Sequence, residues 1–164
     1  MKKPGIHLAI PGRGALRLRR LVTDYSGTLS RAGRLSPGVG DRLVRLAERL
    51  EIAVLTSDTF GTAAEELDGL PVEVHILEDQ DHDLHKHAFV HSLGPGETAA
   101  FGNGMNDRLM LAAVRAAGGL AVAVDNGEGC AFEALQAANL FIHGAEAALD
   151  LLLDPRRLAA GLRR

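Results

Sequence analysis

A chain of 164 residues, 46% hydrophobic and 24% charged, has the make-up of one soluble domain, here 1–164, and at this length about 70% of the unfolded surface can be buried without a disulfide. The net charge of -3 argues against nucleic-acid and membrane-surface partners, and the most apolar tract, 109–124, is interrupted by Arg115 and Gly118-Gly119, so it does not read as a membrane span. The single Cys130 lacks a partner for an intrachain disulfide and serves as small apolar filler or marks a reducing compartment; with no adequate apolar segment after Met1-Lys2-Lys3-Pro4, a cytoplasmic protein is expected.

In chain order, 6–10 reads as a strand, Pro11-Gly12-Arg13-Gly14 as a hairpin turn, and 15–23 as one longer strand ending at Asp24. The cluster Arg13, Arg17, Arg19 and Arg20 reads as a solvated strand face. Ser36-Pro37 is a helix-start signal, and Val39, Leu43, Leu46, Ala47 and Leu50 recur at helical spacing. A strand follows at 52–55, closing on Thr56-Ser57-Asp58, then a helix at 59–67 ended by Gly69 and Pro71, then a strand at 72–77. Further helices are expected at 81–93, 108–117, 130–138, 145–153 and 155–162, with strands at 98–101, 120–124 and 140–142. Strands alternating with helices imply a parallel sheet covered on both faces by right-handed crossovers.

Asp24 follows the apolar run Leu21-Val22-Thr23 directly, and the small residues Ser26, Gly27 and Thr28 come next. A strand end of this kind delivers a carboxylate to the ligand crevice of an α/β sheet, as a nucleophile or metal ligand, although turn and cap roles are as common. Two other strands end in polar groups suited to the same chemistry, one in Thr56 and the other in Asn103 with Asp107. Between them lies Lys86. Fifteen of the eighteen basic residues are Arg, and the other lysines are Lys2 and Lys3, so a lysine at 86 suggests a need for a compact point charge in a crowded site; a solvent-facing helical lysine is the alternative.

The order of these residues resembles the haloacid dehalogenase (HAD) phosphotransferase superfamily, whose motifs run DxDGT, a strand-end Thr or Ser, a Lys, and GDGxND or a relative. Asp24-Tyr25-Ser26-Gly27-Thr28-Leu29-Ser30 is closer still to the DKTGTLT of P-type ATPases, and Gly102-Asn103-Gly104-Met105-Asn106-Asp107 resembles their GDGxND, which points to the small soluble P-type-ATPase-like group. The resemblance covers roughly 21–141. It implies a three-layer, doubly wound parallel sheet of the HAD-like Rossmannoid type, with an N-terminal β-hairpin as an extension. Only about thirty residues separate Asp24 from Thr56, and as few separate Thr56 from Lys86, so neither cap insertion fits and a capless protein is expected.

Carried over by position, the resemblance makes Asp24 the nucleophile that forms an aspartyl phosphate. Thr56 and Ser57, with Lys86 and Asn106, would bind the phosphate, and Mg²⁺ would be held by Asp24, the Ser26 carbonyl, Asn103 and Asp107. The physics agrees, because two anions about 4 Å apart repel by roughly 4 kcal/mol at an effective dielectric near 20, and a lysine with a hard cation removes that barrier.

Two positions depart from the pattern. Ser26 stands where phosphatases carry an acid-base Asp, a loss that typically costs about 10²- to 10⁴-fold, so slow turnover or good leaving groups such as acyl phosphates, aryl phosphates or phosphoanhydrides are expected. Asn103 stands where an Asp is usual and brings an oxygen without charge, which weakens Mg²⁺ binding. His75, His82, His85, His87 and His91 crowd one region, but their spacing matches no closed zinc site and a solvated helix explains them. Asp58 caps the following helix or touches substrate. Arg156, Arg157, Arg163 and Arg164 favour solvent, with a homo-oligomer contact as the sharper reading. The leading expectation is a Mg²⁺-dependent phosphatase acting on a small phosphorylated compound; the competing one is a catalytically degenerate HAD fold kept as a binding or regulatory module.

Overall fold

The computed structural model describes residues 2–77 and 80–164; Met1, which begins both the expected domain and its basic N-terminal stretch, lies outside it. The central sheet is parallel throughout. It holds β3 (Arg20–Thr23), β6 (Glu51–Thr56), β7 (Glu73–Ile76), β8 (Thr98–Gly102), β9 (Leu120–Asp125) and β10 (Leu140–His143), in the order β10-β9-β8-β3-β6-β7. The order reverses between β3 and β8, and crevices in such sheets open at that reversal, beyond the carboxyl ends of the strands.

Alternation within the strands explains the layers. Leu120, Val122 and Val124 of β9 join one buried cluster with Leu43 and Leu46 of α1 (Val39–Ala47) and Leu149 and Leu152 of α6 (Ala145–Leu153). The intervening Ala121 and Ala123 face the other side, beside Val90 of α3 (His82–Leu93), Met110, Leu111 and Val114 of α4 (Arg108–Ala116) and Ala134 of α5 (Phe132–Ala137). Helices on both faces of a parallel sheet form the three-layer, doubly wound arrangement expected. The connections from β3 to β6 and from β6 to β7 hold only a two-stranded turn, α1 and the short α2 (Ala63–Glu66). Among the described residues no helix is long and apolar enough to cross a membrane.

The N-terminal hairpin is present as β1 (Ile6–Ile10) and β2 (Gly14–Leu18), with Ile6 paired to Leu18 and Ile10 to Gly14. The single strand expected at 15–23 is two. Arg19 is the break: it donates its backbone N–H to Glu97 and accepts from Glu51, so the chain leaves the hairpin and enters the parallel sheet there. The basic cluster is also more than a solvated face. Arg13 donates to the carbonyls of Gly118 and Gly119 and Arg19 pairs with Glu97 at 3.1 Å, so these two tie the hairpin region to the body, while Arg20, already in β3, donates to the Leu93 carbonyl at the end of α3.

Other differences are local. Ser36 does not cap α1: its hydroxyl accepts from Asn126, and Gly38, at φ 78°, precedes the first helical residue. The helix expected at 59–67 shrinks to α2 because the Asp58 carboxylate accepts from the backbone N–H groups of Thr62 and Ala63, both at 2.9 Å, and so sets the start there. A two-stranded turn, β4 (Ser30–Arg31) with β5 (Arg34–Leu35), forms beyond Asp24 with no expectation behind it. The last segment splits into a 3₁₀ turn at Pro155–Arg157 and α7 (Leu158–Leu162), whose Leu158 and Leu162 pack under the hairpin.

Candidate active site

Asp24 is the residue after β3, and its backbone N–H donates to Phe101 of β8 at 2.9 Å. The register sets Thr23 beside Val54 on one side and Phe101 on the other, so Thr56, Asn103 and the Asp24 loop leave the sheet at neighbouring points. After Asp24 the chain folds around one atom. The Tyr25 carbonyl accepts from the N–H groups of Thr28, Leu29 and Ser30 and from the Ser30 hydroxyl. Gly27 makes this turn at φ 76°, a conformation that favours glycine, and a Cβ there would push against the Asn103 side-chain amide.

Lys86 sits in the second turn of α3 and is fully buried. Its ammonium donates to Oδ1 of Asp24 at 2.8 Å, Oδ1 of Asp107 at 2.8 Å and Oδ1 of Asn106 at 3.2 Å. Asp24 and the distant pair Asn106-Asp107 are thus gathered by one cation, which is not the solvent-facing lysine that the helix pattern alone allowed. Asp107 is itself fixed: its Oδ2 accepts from the backbone N–H groups of Asn103 and Gly104, each at 3.0 Å. Thr28 donates to Asn103 at 3.2 Å and makes a long 3.4 Å contact with Oδ2 of Asp24.

Two carboxylates sharing one ammonium leave the pocket short of positive charge. Burial, together with Asp107, pushes Asp24 up to about 6, and Lys86 offsets this only in part. For Lys86 burial acts the other way and favours the neutral amine, but Asp107 and Asp24 outweigh it and hold the ammonium above the ordinary lysine range. The Ser26 hydroxyl oxygen is buried without a hydrogen-bond partner among the described residues.

That charge deficit is the feature a divalent cation fits. Among the described residues no group of three or more His, Cys, Asp and Glu side chains is placed to hold a metal; the carboxylates gathered here are two, Asp24 and Asp107, with the amide oxygen of Asn103 linked to Asp24 through Thr28. Few carboxylates and several neutral oxygens suit Mg²⁺, which keeps much of its own water. The histidines form no such centre: His87 and His91 stack at 6.0 Å, and His75 packs edge-on against Phe89.

Thr56 is buried, and its hydroxyl oxygen accepts from the Asp58 N–H at 2.9 Å, which leaves the hydroxyl proton without an acceptor among the described residues. Ser57 approaches Thr59 at 3.4 Å, and among the described residues its side chain has no hydrogen bond to the Lys86 cluster. Sequence reasoning missed Asn126. Its amide, 5% exposed, donates to Ser30 and Ser36 and accepts from the Ala145 N–H, pinning the β4-β5 turn to the start of α6. A lone Asn after a strand carries no signal for this.

No family model and no curated protein matches the chain. Solved structures do. A 3-deoxy-D-manno-octulosonate 8-phosphate phosphatase from Moraxella catarrhalis, in complex with magnesium, phosphate and KDO, superposes with a TM-score of 0.66 at 13% identity, covering 87% of this chain and 90% of that one. The cobalt-bound deoxy-D-mannose-octulosonate 8-phosphate phosphatase from Haemophilus influenzae gives 0.63 at 19% identity, over 88% and 90%. A proposed HAD family hydrolase from Streptomyces avermitilis gives 0.63 at 21% identity, over 94% and 91%. The chain therefore has the HAD fold. None of these three is a P-type ATPase, so the narrower P-type-ATPase-like assignment has only the motif sequences behind it.

Proposed function

We propose that this chain is a phosphohydrolase in which Asp24 attacks phosphorus. The observation that carries the reading is the fully buried Lys86 joined at 2.8 Å to both Asp24 and Asp107, an arrangement that leaves a carboxylate ready for an anionic substrate. Oδ1 of Asp24 is held by Lys86, so Oδ2, touched among the described residues only by the long Thr28 contact, is the attacking oxygen. A bond forms from Oδ2 to phosphorus, the bond to the leaving oxygen breaks, and the electron pair departs with that oxygen. Water then cleaves the aspartyl phosphate.

Lys86, the Thr56 hydroxyl and the amide N–H₂ of Asn106 are the groups that offset the phosphoryl charge, with Ser57 at the edge of that set. Mg²⁺ bound by Asp24, the Ser26 carbonyl, Asn103 and Asp107 would supply the remaining positive charge. Ser26 has no acidic proton to give, so the leaving group departs as an anion, which favours acyl and aryl phosphates. The phosphorylated sugar acids named for two of the structural neighbours are natural first members of a metabolite screen.

A second reading has its own support. Ser26 and Asn103 each remove a charge that turnover uses, as in a fold kept for binding or regulation. Incubation with phenyl phosphate or acetyl phosphate and Mg²⁺ separates the two. Phosphate release that vanishes in Asp24→Asn is the expected result; no release and no trapped phosphoenzyme would favour the module.

A further inference from the structure

Beside the Lys86 cluster lies an open groove of about 320 Å³ whose lining includes His82, Met105, Asn106 and Arg108. Asn106 is shared between the groove and the cluster, since its side chain accepts from Lys86. His82 and Lys86 are four residues apart on α3 and occupy one helix face.

Two of the three charged groups that line the groove, Asp83 and Arg108, pair at 3.3 Å, while Asp81 lines it without an ion pair among the described residues. His82 stands apart. Its Nε2 is shut away from solvent and has no hydrogen-bond partner among the described residues, a state that costs free energy until a partner is found. The ring torsion of histidine is broad, so a turn about the Cβ–Cγ bond carries Nε2 into the groove without moving the helix.

We infer that His82 is a substrate contact: on binding, its ring turns into the groove and hydrogen-bonds the leaving group of the phosphate ester. This rests on the phosphohydrolase reading, in which the leaving group lies on the far side of phosphorus from Asp24, and it supplies a polar contact that Ser26 does not. The substrates it fits carry a compact leaving group with an oxygen or nitrogen within reach of the imidazole and no negative charge of its own, since Asp83 and Arg108 offset each other and Asp81 adds a further carboxylate to the lining.

The test is binding to Asp24→Asn protein labelled with ¹⁵N-histidine, titrated in the presence of Mg²⁺ with glycerol 3-phosphate, whose leaving group carries hydroxyls, and, separately, with inorganic phosphate. The His82 imidazole resonance, assigned by its loss in His82→Gln, should move with glycerol 3-phosphate and stay still with inorganic phosphate. In the same background His82→Ala should weaken glycerol 3-phosphate by about tenfold and leave inorganic phosphate unchanged. A resonance unmoved by glycerol 3-phosphate, or equal losses for both ligands, would overturn the inference. Because the nucleophile is absent from the protein measured, a lack of turnover in the native chain would count against the phosphohydrolase reading alone.

Discussion

The ammonium of Lys86 lies 2.8 Å from Asp107, and neither side chain has any surface open to water. A buried pair of this kind is costly to break from one side, because the partner left behind keeps its desolvation cost and loses its compensation. Here the partner left behind is two carboxylates, which makes Lys86 the residue on which the site and its local stability both depend.

Lys86→Met is therefore expected to lower unfolding free energy by about 3 kcal/mol at pH 8, read by urea denaturation, and to lower phosphate release by at least about 10²-fold. The loss of stability should be smaller at pH 5, where Asp24 takes up a proton. Equal losses at both pH values would show that Asp24 carries no buried charge.

The titration of Asp24 makes a separate prediction. Its folded value of about 6 lies above the ordinary 3.8, so between these values the folded state binds more protons than the unfolded chain. This contribution to stability is fully present below the lower value, is lost as pH rises toward 6, and stays lost above it. Asp24→Asn should accordingly raise the melting temperature of metal-free protein at pH 8, by an amount worth at most about 3 kcal/mol, and the gain should shrink toward pH 4. Turnover at limiting Mg²⁺ should rise through pH 6 as the nucleophile ionises. A pH-independent melting difference would contradict the assignment.

Ser26 has a buried hydroxyl oxygen with no partner among the described residues, at the turn that follows Asp24. Ser26→Asp should restore a proton donor and speed hydrolysis of an alkyl phosphate such as glycerol 3-phosphate by roughly 10²-fold, with a much smaller effect on acetyl phosphate, whose leaving group needs no proton. Steady-state rates on the two substrates decide this; an equal change on both would place the residue outside acid-base chemistry.

Asn103 accepts from Thr28 and donates weakly to Gly129, at 3.3 Å. Asn103→Asp keeps the first contact, loses the second and adds a negative charge to the donor set, so Mg²⁺ affinity should rise by about tenfold or more. Isothermal titration with Mg²⁺ reads this directly, and unchanged affinity would move the metal away from this residue.

The sequence by itself determined the layered α/β plan. Strand and helix periods alternate clearly enough to imply a parallel sheet covered on both faces. It also marked Asp24, Thr56, Lys86, Asn103 and Asp107, through strand ends and a lysine rare in an arginine-rich chain. Tertiary contacts decided the rest. The break at Arg19 follows from partners at Glu51 and Glu97, and Ser36 gives up its capping role to Asn126, because a side chain's hydrogen bonds are settled by whatever the fold brings near it. Only the folded chain sets Lys86 between two carboxylates and leaves Nε2 of His82 without a partner among the described residues. Local propensity reports which face of a helix is apolar; the distance between charges from separate strands is a property of how those strands pack.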